Sequence, residues 1–203
     1  MKKVFVLGIN GSPHKDGTTA PLVKNFLSSA KKYGAETELV NLVEQKINPC
    51  LGCYSKSPSL CKFPCVQKDD MQKLFPLLKK ADAIVFASPI YWFNMSGLMK
   101  NFMDRCCSLA AHGYELEGKV GVYIAASKEN EGGRMTAAMA MASTMNHLGL
   151  MVPPYCMMFY PGKEKVVKKG KVVWDDWISG EMPRVAKSII PLCNFLRKSK
   201  LEW

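Results

Sequence analysis

The feature that most constrains the fold is an apolar run that leads directly into a loop rich in glycine and hydroxyl side chains, KVFVLGINGSPHKDGTT at residues 3–19. Residues 4–7 are uninterrupted apolar, which is typical of a parallel strand buried on both faces. Two glycines let the backbone turn sharply, and Thr18 or Thr19 is predicted to cap the helix that follows. Amide N-H groups, hydroxyls and a helix N-terminus that converge in this way suit a phosphate group.

This loop does not match the other common nucleotide-binding motifs. It lacks the Gly-Lys-Ser/Thr ending of a Walker loop, and it is not GxGxxG. A strand followed by a helix is also the ordinary connection in any α/β protein. Taken alone, the loop therefore leaves two interpretations open, a phosphate site and an ordinary connection.

The rest of the chain alternates between strand-like and helix-like patterns. Strands are predicted at 36–42, 83–87, 120–126 and from 150 toward 159, and helices at 20–32, 69–80, 98–109, 135–148 and 184–197. Five successive strand and helix units predict an α/β protein with a five-stranded parallel sheet and helices on both faces.

The length of 203 residues, 48% of them apolar, suits one domain over 1–203. Two additions to this domain are predicted, a cysteine-rich loop insertion at 45–68 and a C-terminal basic tail plus helix at 160–203. The tail includes a hairpin or an extended segment around Gly170.

The formal net charge of +11 bears on the choice of partner. A solvated basic tail explains it, and so does attraction of an acidic partner such as a phosphorylated cofactor or an acidic electron carrier. Nucleic acid is not expected, because no aromatic-interleaved basic helix or zinc-finger spacing accompanies the charge. Since no run of about 18 apolar residues occurs and no signal peptide is recognisable, we expect no membrane association and a cytoplasmic location.

Eight cysteines in a reducing compartment favour metal or redox use over a disulfide framework. Half of them lie in the predicted insertion: Cys50, Cys53, Cys61 and Cys65. The others lie in apolar helices or strands and are expected to be buried packing residues: Cys106, Cys107, Cys156 and Cys193. Asp104 and Arg105 are expected to form an ion pair at a helix end.

Three loops are expected at one edge of the sheet, at 10–19, 89–97 and 127–133, because ligands of doubly wound sheets bind beyond the carboxyl ends of the strands. Tyr91, Trp92 and Phe93 directly follow a buried strand, so they cannot all point into the core. Such a wall suits a flat conjugated ligand. The alternative is an aromatic patch that docks a helix or a second subunit.

Three segments of the chain resemble the NADPH-dependent FMN reductases. GSPHKDGTT at 11–19 resembles the GSPRxxGNT phosphate loop of that family. DDM at 69–71 with ADAIVFASPIYW at 81–92 resembles its DDM and ADAIIFGTPVY stretches, and SGLMKNFMDR at 96–105 resembles its SAxLKxFxDR helix. The match extends from residue 3 to about residue 150.

The resemblance implies a flavodoxin-like sheet of order 2-1-3-4-5 that holds FMN. The implied phosphate site comprises Ser12, His14, Gly17, Thr18 and Thr19. The implied ring site comprises Pro89, Ile90, Tyr91, Trp92, Phe93 and Asn94, together with Ser127 and Gly132 from the loop after the fourth strand. His14 stands where the family commonly has arginine, and Thr18 stands where it has asparagine. No acid-base side chain is implied, because the flavin carries the chemistry.

The spacing Cys50-x2-Cys53-x7-Cys61-x3-Cys65 resembles the cysteine motif of the iron-sulfur flavoproteins, a branch of the same family. The resemblance implies a 4Fe-4S cluster, which thiolate ligands in a loop can hold. The branch usually has a third cysteine where this chain has Lys56, so Cys61 would have to substitute for it. Zinc with the same four ligands and a metal-free loop remain alternatives.

The implied function is that of an FMN-dependent oxidoreductase. Electrons would come from NAD(P)H or a reduced carrier and pass to a small acceptor such as quinone, oxygen or peroxide. The alternatives are a one-electron carrier that exchanges electrons with ferredoxin and a non-catalytic flavin-binding redox sensor. The family resemblance and the aromatic loop further imply a homodimer or a dimer of dimers.

Overall fold

The computed structural model describes residues 2–127, 133–160, 166–168, 171–173 and 176–199. Its parallel strands are β1 (Phe5–Asn10), β2 (Glu36–Asn41), β3 (Ala83–Tyr91), β5 (Val120–Ala126) and β6 (Met157–Tyr160). They lie in the order β2-β1-β3-β5-β6. A two-residue strand, β4 (Asn94–Met95), pairs antiparallel with the end of β3. The predicted order 2-1-3-4-5 therefore describes the five parallel strands, and the labels shift only because β4 interrupts the count.

Seven helices and a separate hairpin complete the described part of the chain. The helices are α1 (Thr19–Lys32), α2 (Cys53–Lys56), α3 (Met71–Lys80), α4 (Gly97–Arg105), α5 (Cys107–Ala110), α6 (Gly133–His147) and α7 (Asp176–Ser199), with 3-10 turns at Leu42–Glu44 and Pro58–Leu60. The hairpin consists of β7 (Val166–Lys168) and β8 (Lys171–Val173), which pair antiparallel, and this is one of the two forms predicted for the segment. Gly170 itself lies outside the described residues.

Two apolar clusters, one on each face of the sheet, form the core. Successive strand residues point to opposite faces, so Val6 packs with Phe26 of α1 and Val185 of α7, while Leu7 packs in the cluster of α3, α4 and α6. Every residue of β1 is buried, whereas β2 alternates between exposed and more buried positions. This burial pattern is that of a central strand beside an edge strand, and it places the loop after β1 in the middle of one sheet edge.

Three local predictions are wrong. The last strand begins at Met157, and Met151 makes only an isolated bridge to Val120. Pro153 cannot donate to a ladder, and its carbonyl instead accepts a turn hydrogen bond from the Cys156 amide at 3.1 Å.

The other two concern helix ends. Thr18 occupies the N-cap position of α1, but its side chain makes no capping hydrogen bond. The helix predicted over 98–109 is divided at Cys106 into α4 and α5. No helix in the described ranges is long and apolar enough to cross a membrane.

Candidate functional site

A cavity of ≈330 Å³, here called the phosphate-loop cavity, lies at the carboxyl edge of β1, β3 and β5. Its lining comprises Ser12, His14, Gly17, Thr18, Thr19, Pro89, Ile90, Tyr91, Ala126 and Ser127. Every lining residue except Ala126 belongs to the set proposed from the sequence for a flavin. The structure thus brings these residues to one place, and their contact with a cofactor stays a prediction.

Short-range hydrogen bonds shape the loop after β1. The Asn10 side-chain oxygen accepts the Ser12 amide at 3.1 Å, and the Ser12 hydroxyl accepts the His14 amide at 3.1 Å. The Gly17 amide donates to the His14 carbonyl, also at 3.1 Å. Asn10 and Ser12 are buried. The loop is therefore held open by its own polar side chains before any ligand arrives.

A close contact with α4 fixes the base of the same loop. A Cβ atom on Gly11 would lie 2.8 Å from the Met99 Cβ, so only glycine allows this approach. The Ser96 hydroxyl donates to the Gly11 carbonyl at 2.6 Å and caps α4 by accepting the Met99 amide at 3.1 Å. Ser96 thereby joins the phosphate loop to the N-terminus of α4.

The chemistry of the cavity fits FMN. The helix dipole favours an anion at the N-terminus of α1, where the Ala20 amide donates to the Gly17 carbonyl at 3.3 Å and Pro21 has no N-H. The Thr18 hydroxyl lines the cavity and is not used as a cap. Pro89, Ile90 and Tyr91 supply an apolar and aromatic wall at the other strand end, and the volume lies within the usual range for small-ligand sites. A phosphate at α1 and a flat ring beside Tyr91 would match these two chemistries.

Three of the proposed ring contacts do not line this cavity. Trp92 and Phe93 form the two-residue tip of the β3-β4 hairpin, with φ of 49° and 64°, and Asn94 pairs with Tyr91. Positive φ at both tip positions is the geometry of a type I′ turn, which normally uses asparagine and glycine. The reversal turns Trp92 into solvent, where 93% of its surface is exposed. Gly132, the remaining proposed contact, lies outside the described residues.

A second cavity, of ≈340 Å³, lies between the cysteine-rich loop and the end of α4, and we call it the cysteine cavity. All four cysteines proposed as metal ligands line it: Cys50, Cys53, Cys61 and Cys65. Cys107 lines it as well. Sequence reasoning placed Cys107 in the core, which is wrong, because the break after α4 leaves Cys106 buried and turns the partly exposed Cys107 toward the loop.

The thiols in this cavity influence one another. Burial raises the pKa of Cys61 to about 11, and neighbouring thiols act in the same direction. Those neighbours are Cys107, Cys65 and Cys50. Burial likewise raises the pKa of Cys107. The raised pKa values disfavour the thiolate forms of Cys61 and Cys107, and a bound metal would offset that penalty because metal-bound thiols are deprotonated.

A buried ion pair holds the cavity together. The Arg105 guanidinium contacts both carboxylate oxygens of Asp69, at 2.5 and 3.1 Å, and also donates to the Asn48 carbonyl at 2.8 Å and to the Cys65 sulfur at 3.6 Å. The side chains of Arg105 and Asp69 are 0% and 4% exposed. The predicted pair of Arg105 with Asp104 is wrong, since Asp104 instead binds Lys100 at 2.6 Å one helical turn away.

The charge state of this pair follows from its contacts. Burial alone would raise the pKa of Asp69, but hydrogen bonds from Arg105 and from the Asn48 and Met71 amides lower the pKa below its usual value. Asp69 thus remains a carboxylate and Arg105 a cation. A permanent positive charge therefore adjoins the thiols of the cysteine cavity.

The donor set has the chemistry of a metal site, because several thiols around one cavity are ligands that iron-sulfur clusters and zinc both take. Within the described ranges, no three His, Cys, Asp or Glu side chains are already arranged to hold a metal ion. Two buried side-chain polar atoms in the described chain have no hydrogen-bond partner, the Arg105 Nε and the Tyr123 hydroxyl. An anionic cluster beside the Arg105 Nε would supply its missing acceptor.

The sequence of this chain is similar to those of known proteins. The model of the family "NADPH-dependent FMN reductase" matches residues 4–162. An iron-sulfur flavoprotein of Methanocaldococcus jannaschii is 36% identical over 133 residues, which cover 64% of this chain and 66% of that protein. An iron-sulfur flavoprotein of Archaeoglobus fulgidus is 38% identical over 129 residues, which cover 62% of this chain and 57% of that protein. The alignments thus span less than two thirds of these relatives' own length.

Solved structures confirm the fold class. RosB, determined with a bound 8-demethyl-8-formylriboflavin-5'-phosphate, superposes with a TM-score of 0.70 at 16% identity. The superposition covers 98% of this chain and 82% of RosB. At that identity the likeness establishes a shared architecture, while the family match rests on the sequence. The chain belongs to the NADPH-dependent FMN reductase family.

Proposed function

We propose that this protein is an FMN-dependent oxidoreductase that takes electrons from NAD(P)H or a reduced carrier and delivers them to a small acceptor such as quinone, oxygen or peroxide. The observation that carries the proposal is the phosphate-loop cavity, in which hydroxyls and the α1 N-terminus face an aromatic strand end. The family match supports the same cofactor. When bound, FMN supplies the electron-transfer chemistry.

In this proposal the chain binds and orients the cofactor. Ser12, Thr18 and Thr19 hold the phosphate, and the contact of Gly11 with Met99 keeps their loop close to the sheet. Tyr91 and Pro89 flank the ring. His14 adds a nitrogen donor to the phosphate end of the cavity. No side chain is assigned a proton-transfer step.

Cofactor binding and turnover test the proposal directly. The apoprotein is titrated with FMN and with riboflavin, which has the same ring but no phosphate. We expect FMN to bind more tightly, since the loop after β1 serves the phosphate. Oxidation of NADH and NADPH with a soluble quinone then measures activity. Equal affinity for the two flavins would contradict the phosphate assignment, and failure to bind either would overturn the proposal.

A one-electron carrier is the second candidate. The cysteine cavity, the net charge of +11 and the names of the relatives favour it. An acidic ferredoxin-like protein would be the partner, because opposite charge accelerates such encounters. Efficient reduction by ferredoxin with no NAD(P)H oxidation would favour the carrier. Flavin binding with neither reaction would favour the sensor.

We also infer that the cysteine cavity holds a 4Fe-4S cluster. Its thiols are soft ligands, and the Arg105 cation beside them offsets negative charge on a cluster. Iron, zinc and acid-labile sulfide assays on anaerobically purified protein test this inference. Zinc without sulfide, or no metal, would contradict it.

Self-association is the last element of the proposal. Trp92 and Phe93 project from a two-residue hairpin tip with 93% and 56% of their surfaces exposed. Apolar groups at such a tip suit a homodimer or dimer-of-dimers contact beside the phosphate-loop cavity. Sedimentation velocity of wild type and Trp92→Ser tests the contact, and a monomeric wild type would exclude it.

A further inference from the structure

Ser96 is hydrogen-bonded to two of the segments that form the phosphate-loop cavity, although it does not line the cavity itself. Its amide binds a hydroxyl near the carboxyl end of β3, and its own hydroxyl binds the base of the loop after β1. We propose that Ser96 is a positioning residue that determines how strongly the cavity prefers a phosphorylated flavin to the same flavin without phosphate. This inference rests on the proposed binding of FMN, and it assigns Ser96 no contact with the cofactor.

The first hydrogen bond fixes Ser96 against β3. The Ser88 hydroxyl accepts the Ser96 amide at 2.9 Å and donates to the Pro89 carbonyl at 2.8 Å. Pro89 lines the cavity at the end proposed for the flavin ring. Ser88 and Ser96 are 0% and 2% exposed, so water does not compete for these bonds. Ser96 is therefore held at a set position relative to the ring end of the cavity.

The second hydrogen bond fixes the base of the loop after β1. The Ser96 hydroxyl donates to the Gly11 carbonyl at 2.6 Å, and this carbonyl shares a planar peptide unit with the Ser12 amide. The Ser12 amide donates to the Asn10 side chain at 3.1 Å, and Ser12 lines the cavity. One hydroxyl outside the cavity thus sets the orientation of the peptide that leads into the phosphate end.

The two ends of the cavity depend on Ser96 to different degrees. Ladder pairing with β5 continues along β3 as far as Pro89, so the ring end keeps its backbone support without the Ser96 hydroxyl. Pairing of β1 with its neighbours stops at Asn10. Beyond that point the Gly11 amide donates to the Ala87 carbonyl at 2.8 Å, while the Gly11 carbonyl is held by Ser96. Loss of the hydroxyl should therefore loosen the phosphate end and leave the ring end in place.

Two flavins and a set of matched variants test the assignment. Wild type, Ser96→Ala, Ser96→Thr and Ser108→Ala are titrated with FMN and with riboflavin. Ser96→Thr keeps the hydroxyl, and Ser108→Ala removes a buried hydroxyl of α5 that donates to the Arg105 carbonyl. We expect Ser96→Ala to weaken FMN binding about tenfold and riboflavin binding less than about twofold. The other two variants should keep the wild-type ratio of the two affinities.

The ratio of the two affinities is a readout that a purely structural role would not move. Ser96 also caps α4 by accepting the Met99 amide, so Ser96→Ala should lower stability as well. Loss of the cap alone would weaken both flavins equally or leave both affinities unchanged, and either result from the folded variant would overturn the proposal. A ratio in Ser96→Thr as low as that in Ser96→Ala would also overturn it, because the hydroxyl would then not be the group responsible.

A measurement on wild type covers the case in which Ser96→Ala does not fold. Amide hydrogen exchange, resolved by NMR, should show the Gly11 and Ser12 amides protected in the flavin-free protein, because their hydrogen bonds do not need the ligand. Rapid exchange of both amides before flavin is added would overturn the inference and leave the oxidoreductase proposal standing. A wild type that binds FMN no more tightly than riboflavin would contradict the phosphate assignment itself, and this inference would fail with it.

Discussion

The loop of the phosphate-loop cavity is tied to the N-terminus of α4, a nine-residue helix about 14 Å long, and the cysteine cavity lies at its C-terminus, but the two cavities are built by different means. The first forms where parallel strands end, and neighbouring residues of each loop shape it. The second forms where an irregular loop is tied to distant helices by side chains. A sheet edge organises the first site, whereas a few long-range polar contacts organise the second.

This difference predicts different sensitivities to substitution. The loop after β1 shares its hydrogen bonds among several nearby groups, so the loss of one leaves the others in place. The cysteine cavity depends on one guanidinium that contacts Asp69, Asn48 and Cys65 together. The substitutions below are ordered from the largest expected effect to the smallest.

Removal of Arg105 should distinguish the cysteine cavity from the phosphate-loop cavity most clearly. Arg105→Leu leaves the buried Asp69 carboxylate unpaired, and we expect the free energy of unfolding to fall by about 3–5 kcal/mol. Iron content should fall together with the free energy of unfolding, while the folded fraction still binds FMN. Urea unfolding measures the loss of stability, and flavin titration measures FMN binding. Lys100→Met, which breaks the exposed pair with Asp104, is the control and should cost less than about 1 kcal/mol.

Acid should weaken the same pair more gradually. The pKa of Asp69 is lower in the folded state than in the unfolded chain, where a carboxyl group has a pKa of about 3.9. The contribution of ionised Asp69 to the free energy of unfolding is therefore complete above that value and is lost as the pH falls through the lower folded pKa. The difference in unfolding free energy between wild type and Asp69→Asn should therefore narrow below about pH 4. A difference that stays constant from neutral pH to acid would show that ionisation of Asp69 contributes nothing.

The substitution Thr18→Val tests the phosphate-loop cavity without disturbing the fold. The Thr18 hydroxyl makes no helix cap, so stability should hardly change. A lost hydrogen bond to a charged phosphate should weaken FMN binding by about 1.5–3 kcal/mol. Riboflavin affinity is the control, since that ligand has no phosphate. Equal weakening for both flavins would show that Thr18 acts on the ring or on the loop itself.

The smallest effect is expected at the tip of the β3-β4 hairpin. Trp92 has a positive φ and few contacts, so Trp92→Asn should raise the unfolding free energy of the monomer by up to about 1 kcal/mol. Self-association should weaken at the same time. Thermal unfolding at several protein concentrations measures both quantities. A destabilised monomer would show that the Trp92 ring makes a contact within its own chain.

The two regions also differ in how well the sequence predicts them. Ser12, Thr18 and Tyr91 were recognisable because they lie in the loop after β1 or at the end of β3, two strands whose apolar runs are evident, and parallel strands end at one edge. The aromatic wall was only partly predicted, because the hairpin turn after Tyr91 depends on backbone angles that the apolar pattern does not encode. Spacing within the loop identified four cavity cysteines and missed Cys107, which is close to them only in space.

The sequence by itself determined the parallel sheet and the position of the loop after β1 through local periodicity, and it determined the family, with the strand order that the family implies, through motifs within short segments. Only the tertiary structure decided that Arg105 pairs with Asp69 and that Cys107 faces the cysteine loop. Such contacts join residues 36 to 46 positions apart, and their partners are selected by how α3, α4 and α5 pack. Packing of this kind depends on the whole core, and no single segment specifies it.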